Sequence, residues 1–276
     1  MVPVTTLFRG PFVAVALVVF AMLICGGEPL QAQGEDNPLE FRTEFQRIGV
    51  EVGFSSVWQS GEYLAGCGRF TEGARLNPLI AAAYDYPLIP GTLRFEALLG
   101  YQGRSVRSTY NSRENVSVRS DNGIHPDVTV DFENEGTASF SYVFLLPSAK
   151  LYFTKALYAG AGINAGLLLG ASTQYTKTIL SKTVNISELG ISEVYYPEEE
   201  SSDPYTKVFP EEDRPDASAF ALDAAFYVGA EFPLGRRMKL GPRLLYTLPL
   251  TPVFENPELK LNTFQFLVGL RIDLTE

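Results

Sequence analysis

"LYAGAGINAGLLLG", Leu157 to Gly170, holds four glycines in fourteen residues. Its close-set glycines would suit a phosphate-cradling loop or a tightly packed strand. In the dinucleotide fingerprint G-x-G-x-x-G, Gly160 and Gly162 would need a third glycine at 165, where the chain has Ala165. No acidic residue follows at the distance that would hold a ribose. Read with a period of two, the stretch resolves. Leu157, Ala159, Ala161, Ile163, Ala165, Leu167, Leu169 and Ala171 share one face. Tyr158, Gly160, Gly162, Asn164, Gly166, Leu168, Gly170, Ser172 and Gln174 share the other. Ordinary globular strands run about 5–6 residues, whereas a strand that crosses a membrane needs about 9–11 and an apolar outer face. The inward glycines then leave room inside a narrow barrel.

The same alternation recurs seven more times. Near 45–58, Ile48, Val50, Val52, Phe54 and Trp58 oppose Arg47, Gly49, Glu51, Gly53 and Ser55. A second strand near 74–85 turns Leu76, Ile80, Ala82 and Tyr84 outward. A third near 92–104 sets Leu93, Phe95, Ala97, Leu99 and Tyr101 against Arg94, Glu96, Gly100 and Gln102. The fourth, near 138–153, loses its phase around Pro147, which cannot donate to a ladder, so a bulge is expected there. Strands near 217–232, 239–249 and 261–274 complete the set. In the last, Phe264, Phe266, Val268, Leu270, Ile272 and Leu274 face lipid.

Connection lengths support the count. Short turns ("YPLIPG", "TKA", "PLGRRM") alternate with long segments near 59–73, 106–137, 176–216 and 250–260. Outer-membrane barrels place short turns in the periplasm and long loops outside, which puts Cys67, in the first long segment, on the external side. Aromatics at strand ends (Trp58, Tyr84, Tyr101, Tyr175, Phe232) suit interfacial girdles. The fold expected is all-β: an eight-stranded antiparallel up-and-down transmembrane β-barrel. A soluble eight-stranded barrel would put its apolar face inside, and here the opposite face is the charged one.

Residues 1–32 read as a signal peptide, with Arg9 before the apolar run "PFVAVALVVFAMLIC" and small residues beyond it. Residues 33–44 are then a short periplasmic segment, and 45–276 the barrel. An exported chain with 46% hydrophobic residues, 14 Tyr and 19 Phe fits an outer-membrane location. The formal charge of −10 argues against nucleic acid, whose phosphates require a basic surface.

The inward face carries both signs of charge: Arg47, Arg75, Arg94, Lys150, Arg243 and Arg271 against Glu51, Asp85, Glu96, Asp223, Glu231 and Asp273. Eight strands enclose an interior that side chains fill, and buried ions must be paired. The set is therefore read as a structural lumen network, not as catalytic groups. A serine hydrolase needs a histidine base, and the one histidine, His125, falls in a long loop. One His and one cysteine beyond the signal do not make a zinc site. No enzyme activity and no cofactor are expected.

The segment 176–216 carries ten carboxylates against four cations (Lys177, Lys182, Lys207, Arg214), more than half of the formal charge. It reads as a solvated loop, interrupted by prolines. Its interleaved aromatics make Tyr195, Tyr196, Glu198, Glu199, Glu200, Tyr205 and Phe209 a candidate protein-contact surface.

The stretches "LLPSAKLYFTKALYAGAGINAGLLLG" (145–170), "GPRLLYTLPLT" (241–251) and "FQFLVGLRIDL" (264–274) resemble the PorT-like outer-membrane β-barrel family. The resemblance spans roughly 40–274 and implies a barrel of a Gram-negative envelope. Some members serve a protein secretion and gliding apparatus; most have no assigned activity. The expectation is a monomeric, lipid-embedded, non-enzymatic barrel with a structural or interaction role through its outer loops. A secretion or transport component is the alternative, ahead of a lipid-acting barrel enzyme or a small diffusion pore.

Overall fold

The computed structural model describes residues 45–65, 68–117, 127–186, 190–196, 201 and 203–274. The expected signal peptide and periplasmic segment, Cys67, His125 and Glu198, Glu199 and Glu200 lie outside the described residues. Among the described residues, eight strands form one ring. They are β1 (Arg47–Gly61), β2 (Ala74–Ile89), β3 (Leu93–Gly103), β4 (Asp127–Tyr152), β5 (Leu157–Ile179), β6 (Phe220–Ala230), β7 (Met238–Pro249) and β8 (Leu259–Asp273). Each pairs antiparallel with its neighbours in sequence, and β8 closes onto β1 from Arg47↔Asp273 to Gly61↔Leu259. Closure removes every free edge from the ring itself, so its backbone groups need no solvent.

Alternation fixes what faces where, and the result is inverted relative to a soluble protein. Val50, Val52 and Phe54 are 51–53% exposed on the outside, whereas Arg94, Glu96, Lys150 and Arg271 are at most 1% exposed inside. A soluble barrel with a greasy ligand cavity would show the reverse. In β1 the outward row runs from Ile48 to Trp58, and at about 3.3 Å per residue and ~40° tilt it spans about 25 Å. That is the height of the apolar band of a membrane barrel. Trp58 stacks on Tyr246 at one rim, with centroids 6.1 Å apart. Tyr84 and Phe232 lie toward the other rim, that of the short turns. The architecture is an eight-stranded antiparallel up-and-down transmembrane β-barrel.

Three sequence expectations fail. The bulge expected at Pro147 is absent: Pro147 faces Ala97 in register, and alternation runs on through Leu146, Ser148 and Lys150 inward. The pattern looked untidy because the lumen at that depth is itself lined by apolar residues, Phe144 and Leu146. The bulge lies on β5 instead. Ser141 faces Gly170 and Tyr142 faces Leu168, which leaves Leu169 as an extra residue. Above it the phase of β5 flips, so Tyr175 is buried inside instead of serving the girdle, and Gln174 is exposed.

Finally, two of the expected long loops are largely strand. β4 and β5 run 26 and 23 residues, against 11 in β3 and β6. Their upper halves continue beyond the ring. Val106–Ser117 pairs with β4 on one side, and Thr206–Val208 and Glu212–Asp213 pair with β5 on the other. This raised sheet has its own apolar cluster of Val128, Val130, Phe132, Ile179 and Val194. Thr183–Ile186 and Gly190–Glu193 form a further hairpin, as do Tyr63–Ala65 and Gly68–Phe70.

Candidate functional site

The lumen is filled in layers. Nearest the short turns lies an ionic network drawn from six of the eight strands and the turn after β6. Lys150 sits at its centre, 2.5 Å from Glu231 Oε1, 3.4 Å from Asp85 Oδ2 and 3.5 Å from Glu96 Oε1. Arg271 pairs with Glu51 and lies 2.6 Å from Glu96. Arg243 reaches Glu96 at 2.7 Å and Glu51 at 3.1 Å. Arg94 Nε donates to Asp85 at 2.5 Å and its Nη2 to the Phe45 carbonyl at 2.7 Å. Arg47 closes the layer against Glu231 at 3.1 Å and Asp273 at 2.8 Å. Glu51, Asp85, Glu96 and Glu231 thus each sit between cations, the arrangement that buried charge demands.

Ten of the predicted lumen residues meet in this layer: Arg47, Glu51, Asp85, Arg94, Glu96, Lys150, Glu231, Arg243, Arg271 and Asp273. Asp223 does not. It lies higher in the barrel, paired with Arg104, while Asn164 Nδ2 donates to its Oδ2 at 2.8 Å. Arg104 is missing from the expected inward set although the expected third strand, near 92–104, includes it. Continuing the alternation from Gln102 by two would have found it. Arg75 keeps the inward parity but lies at the rim, where it is exposed.

Above the ions, Tyr158 and Tyr227 cross the lumen edge to face with centroids 6.1 Å apart. The Arg243 guanidinium lies 4.5 Å from the Tyr227 centroid, and the Lys150 ammonium 4.2 Å from that of Tyr158. Between this layer and Arg104, a cavity of about 10 Å³ is lined by residues including Leu79, Gln102, Asn164 and Gln265. That is space for one water at most. At the mouth, Phe140 packs on Phe254, and Tyr63, Phe70 and Tyr175 join them in one apolar cluster. Both ends of the lumen are therefore filled.

The candidate contact surface divides. Phe209 packs on Tyr175, 4.9 Å between centroids, and belongs to the mouth. Tyr196 packs on the apolar cluster of the raised sheet. Tyr195 is 61% exposed, and Tyr205 donates a hydrogen bond to Glu193, which raises its hydroxyl pKa. Lys182 lies 4.2 Å over the Tyr205 ring. On the inner side of the sheet, Lys177 donates to Glu114 at 2.6 Å and holds that carboxyl below its ordinary range.

No family model matches the chain, and no curated protein matches it. Solved structures similar to it include Ail, the attachment invasion locus protein of Yersinia pestis. It is 9% identical, covers 83% of this chain and 99% of its own, and has a TM-score of 0.33. Neisserial surface protein A is 10% identical, with 82% and 97% covered and a TM-score of 0.32. The outer membrane protease OmpT of Escherichia coli is 11% identical, with 86% and 99% covered and a TM-score of 0.35. The fold rests on the strand register given above, not on these likenesses.

Proposed function

We propose that this chain is an integral outer-membrane β-barrel protein that neither conducts nor catalyses, and that it acts by presenting the raised sheet to an envelope or extracellular protein. The observation that carries the reading is the pairing of an exposed apolar outer band with an ion-paired, filled lumen. Such a barrel anchors; among the described residues its interior leaves a cavity of about 10 Å³, room for one water at most. The lumen carboxylates are spent on Arg and Lys partners, so none is free for acid–base work. What remains for recognition is the sheet formed by Val106–Ser117 and the upper halves of β4 and β5. Its outer face is polar, with Arg113 2.6 Å from Asp131 and Thr129 2.7 Å from Asn115. A role within an envelope secretion or transport assembly, as the PorT-like resemblance implies, would use this same sheet.

Crosslinking in intact envelopes through a photoreactive residue at Thr109 or Thr129 tests the reading. A defined protein adduct at these positions, absent from a control position in a short turn such as Thr92, is the expected result. Adducts to lipid alone at all three would overturn it.

A further inference from the structure

The end of the barrel opposite the raised sheet carries charge of the other sign. The β4–β5 turn and the β6–β7 turn touch, with the Glu231 N–H donating to the Ala156 carbonyl at 2.8 Å. Gly235, at φ +88°, makes the second turn tight, and the Leu234 N–H donates to the Met238 carbonyl at 2.8 Å across it. Together the two turns bring Lys155, Arg236 and Arg237 to one exposed rim. None of the three is ion-paired to a described residue. In the described part of this end, the carboxylate nearest solvent is Asp273, and Arg47 holds it at 2.8 Å. Phe153, Phe232 and Leu234 flank the cations and are 45–66% exposed. In a chain of formal charge −10, three unpaired cations set among outward apolar side chains are complementary to an anionic, amphiphilic neighbour.

We infer that this rim is a docking surface for anionic phospholipid headgroups of the leaflet it faces; the inference rests on the outer-membrane reading above. The aromatic and leucine side chains enter the acyl boundary, while the Lys and Arg stems extend along it to place their charge at phosphate depth. The described, exposed carboxylates at the far end, Glu193, Asp203, Glu211, Glu212, Asp213 and Asp216, repel the same headgroups, so the two ends discriminate between leaflet surfaces. Each such cation contributes favourably near an anionic surface. Discounted for exposure and screening, three of them support on the order of a ten-fold lipid preference.

The test uses the full chain in detergent micelles with equimolar phosphatidylglycerol and phosphatidylcholine, and counts retained lipids by native mass spectrometry. The wild type should retain phosphatidylglycerol about ten-fold over phosphatidylcholine. The triple variant Lys155→Gln, Arg236→Gln, Arg237→Gln should lose that preference. Arg69→Gln with Lys260→Gln, at the other end, should keep it. Equal retention of both lipids by the wild type, or an undiminished preference in the triple variant, overturns the inference. Excess glycerol phosphate should leave the lipid bound; displacement would indicate a free-phosphate site and overturn the membrane docking. Heat-modifiable gel mobility is read on every sample. A wild type without a compact form sinks the barrel reading itself, whereas a compact barrel without lipid preference sinks the rim alone.

Discussion

At the level of single residues, Gly160 of β5 and Gly229 of β6 are the negative image of two tyrosines. A Cβ built at Gly160 would lie 2.2 Å from the Tyr227 ring, and one at Gly229 would meet Tyr158 as closely. Tyr227 cannot swing away, because Ser148 hydrogen-bonds its hydroxyl at 2.9 Å and Arg243 lies against its face. Gly160→Ala should therefore cost about 1–3 kcal/mol, the range of an overpacked core; urea unfolding in micelles would measure it. Lys150→Met should cost more, about 3–5 kcal/mol, since it strands Glu231, Glu96 and Asp85 without their central cation. Adding Glu231→Gln to Lys150→Met should recover part of the loss. Full additivity of the two changes would show that the pair is not coupled.

The sequence made the glycines legible as packing, because one face of β5 is small and the other greasy. It did not reveal their tyrosine partners, which depend on cross-barrel register. The ten residues of the ionic layer could be read from parity alone, since charge on one face of an exported strand has few places to go. Tyr175 could not be read this way. The extra Leu169 resets the alternation, and no local residue type announces it.

At the scale of elements, the raised sheet was hidden by composition. Val106–Ser117 and residues 127–137 alternate as strands do, but their outer face is Arg, Thr, Asn, Asp and Glu, which reads as loop. The inner face gives the segment a reason to fold: Val128, Val130 and Phe132 meet Ile179 and Val194. It follows that the acidic segment is not a free insertion, contrary to the loop reading. Replacing residues 183–205 with a short Gly/Ser linker should uncover this cluster. Limited proteolysis should then cut within 106–137 while the barrel keeps its heat-modifiable mobility. An unchanged protease pattern would show that the cluster does not depend on its cover.

The same sheet should soften in acid. Glu114 has a folded pKa lowered by the hydrogen bond from Lys177. Its contribution is complete above the unfolded carboxylate range and is lost as pH falls through the lowered folded value. Protection from hydrogen exchange at 106–117, taken relative to the intrinsic rate at each pH, should therefore fall below about pH 4, earlier than protection in the ring. Glu114→Gln should remove the Glu114 share of that dependence and leave the share of Asp131, whose carboxyl the hydrogen bond from Arg113 also holds below its ordinary range.

At the scale of the molecule, the barrel is a closed solid. Salt-bridged side chains fill one end of the lumen, an aromatic cluster fills the other, and the gap between them holds about 10 Å³. Purified protein in planar bilayers should give no sustained conductance across the voltages used for porins. Reproducible single-channel steps would mean that the aromatic mouth opens and the ion layer parts, and would restore the pore reading.

A filled lumen also changes what limits the protein's abundance. Each open channel adds to the permeability of the membrane that holds it, so channels are tolerated only at numbers the envelope can survive. A barrel stoppered by its own side chains adds no leak. The number of copies is then bounded by membrane area instead of by leakage, which suits the role proposed for the sheet above the rim.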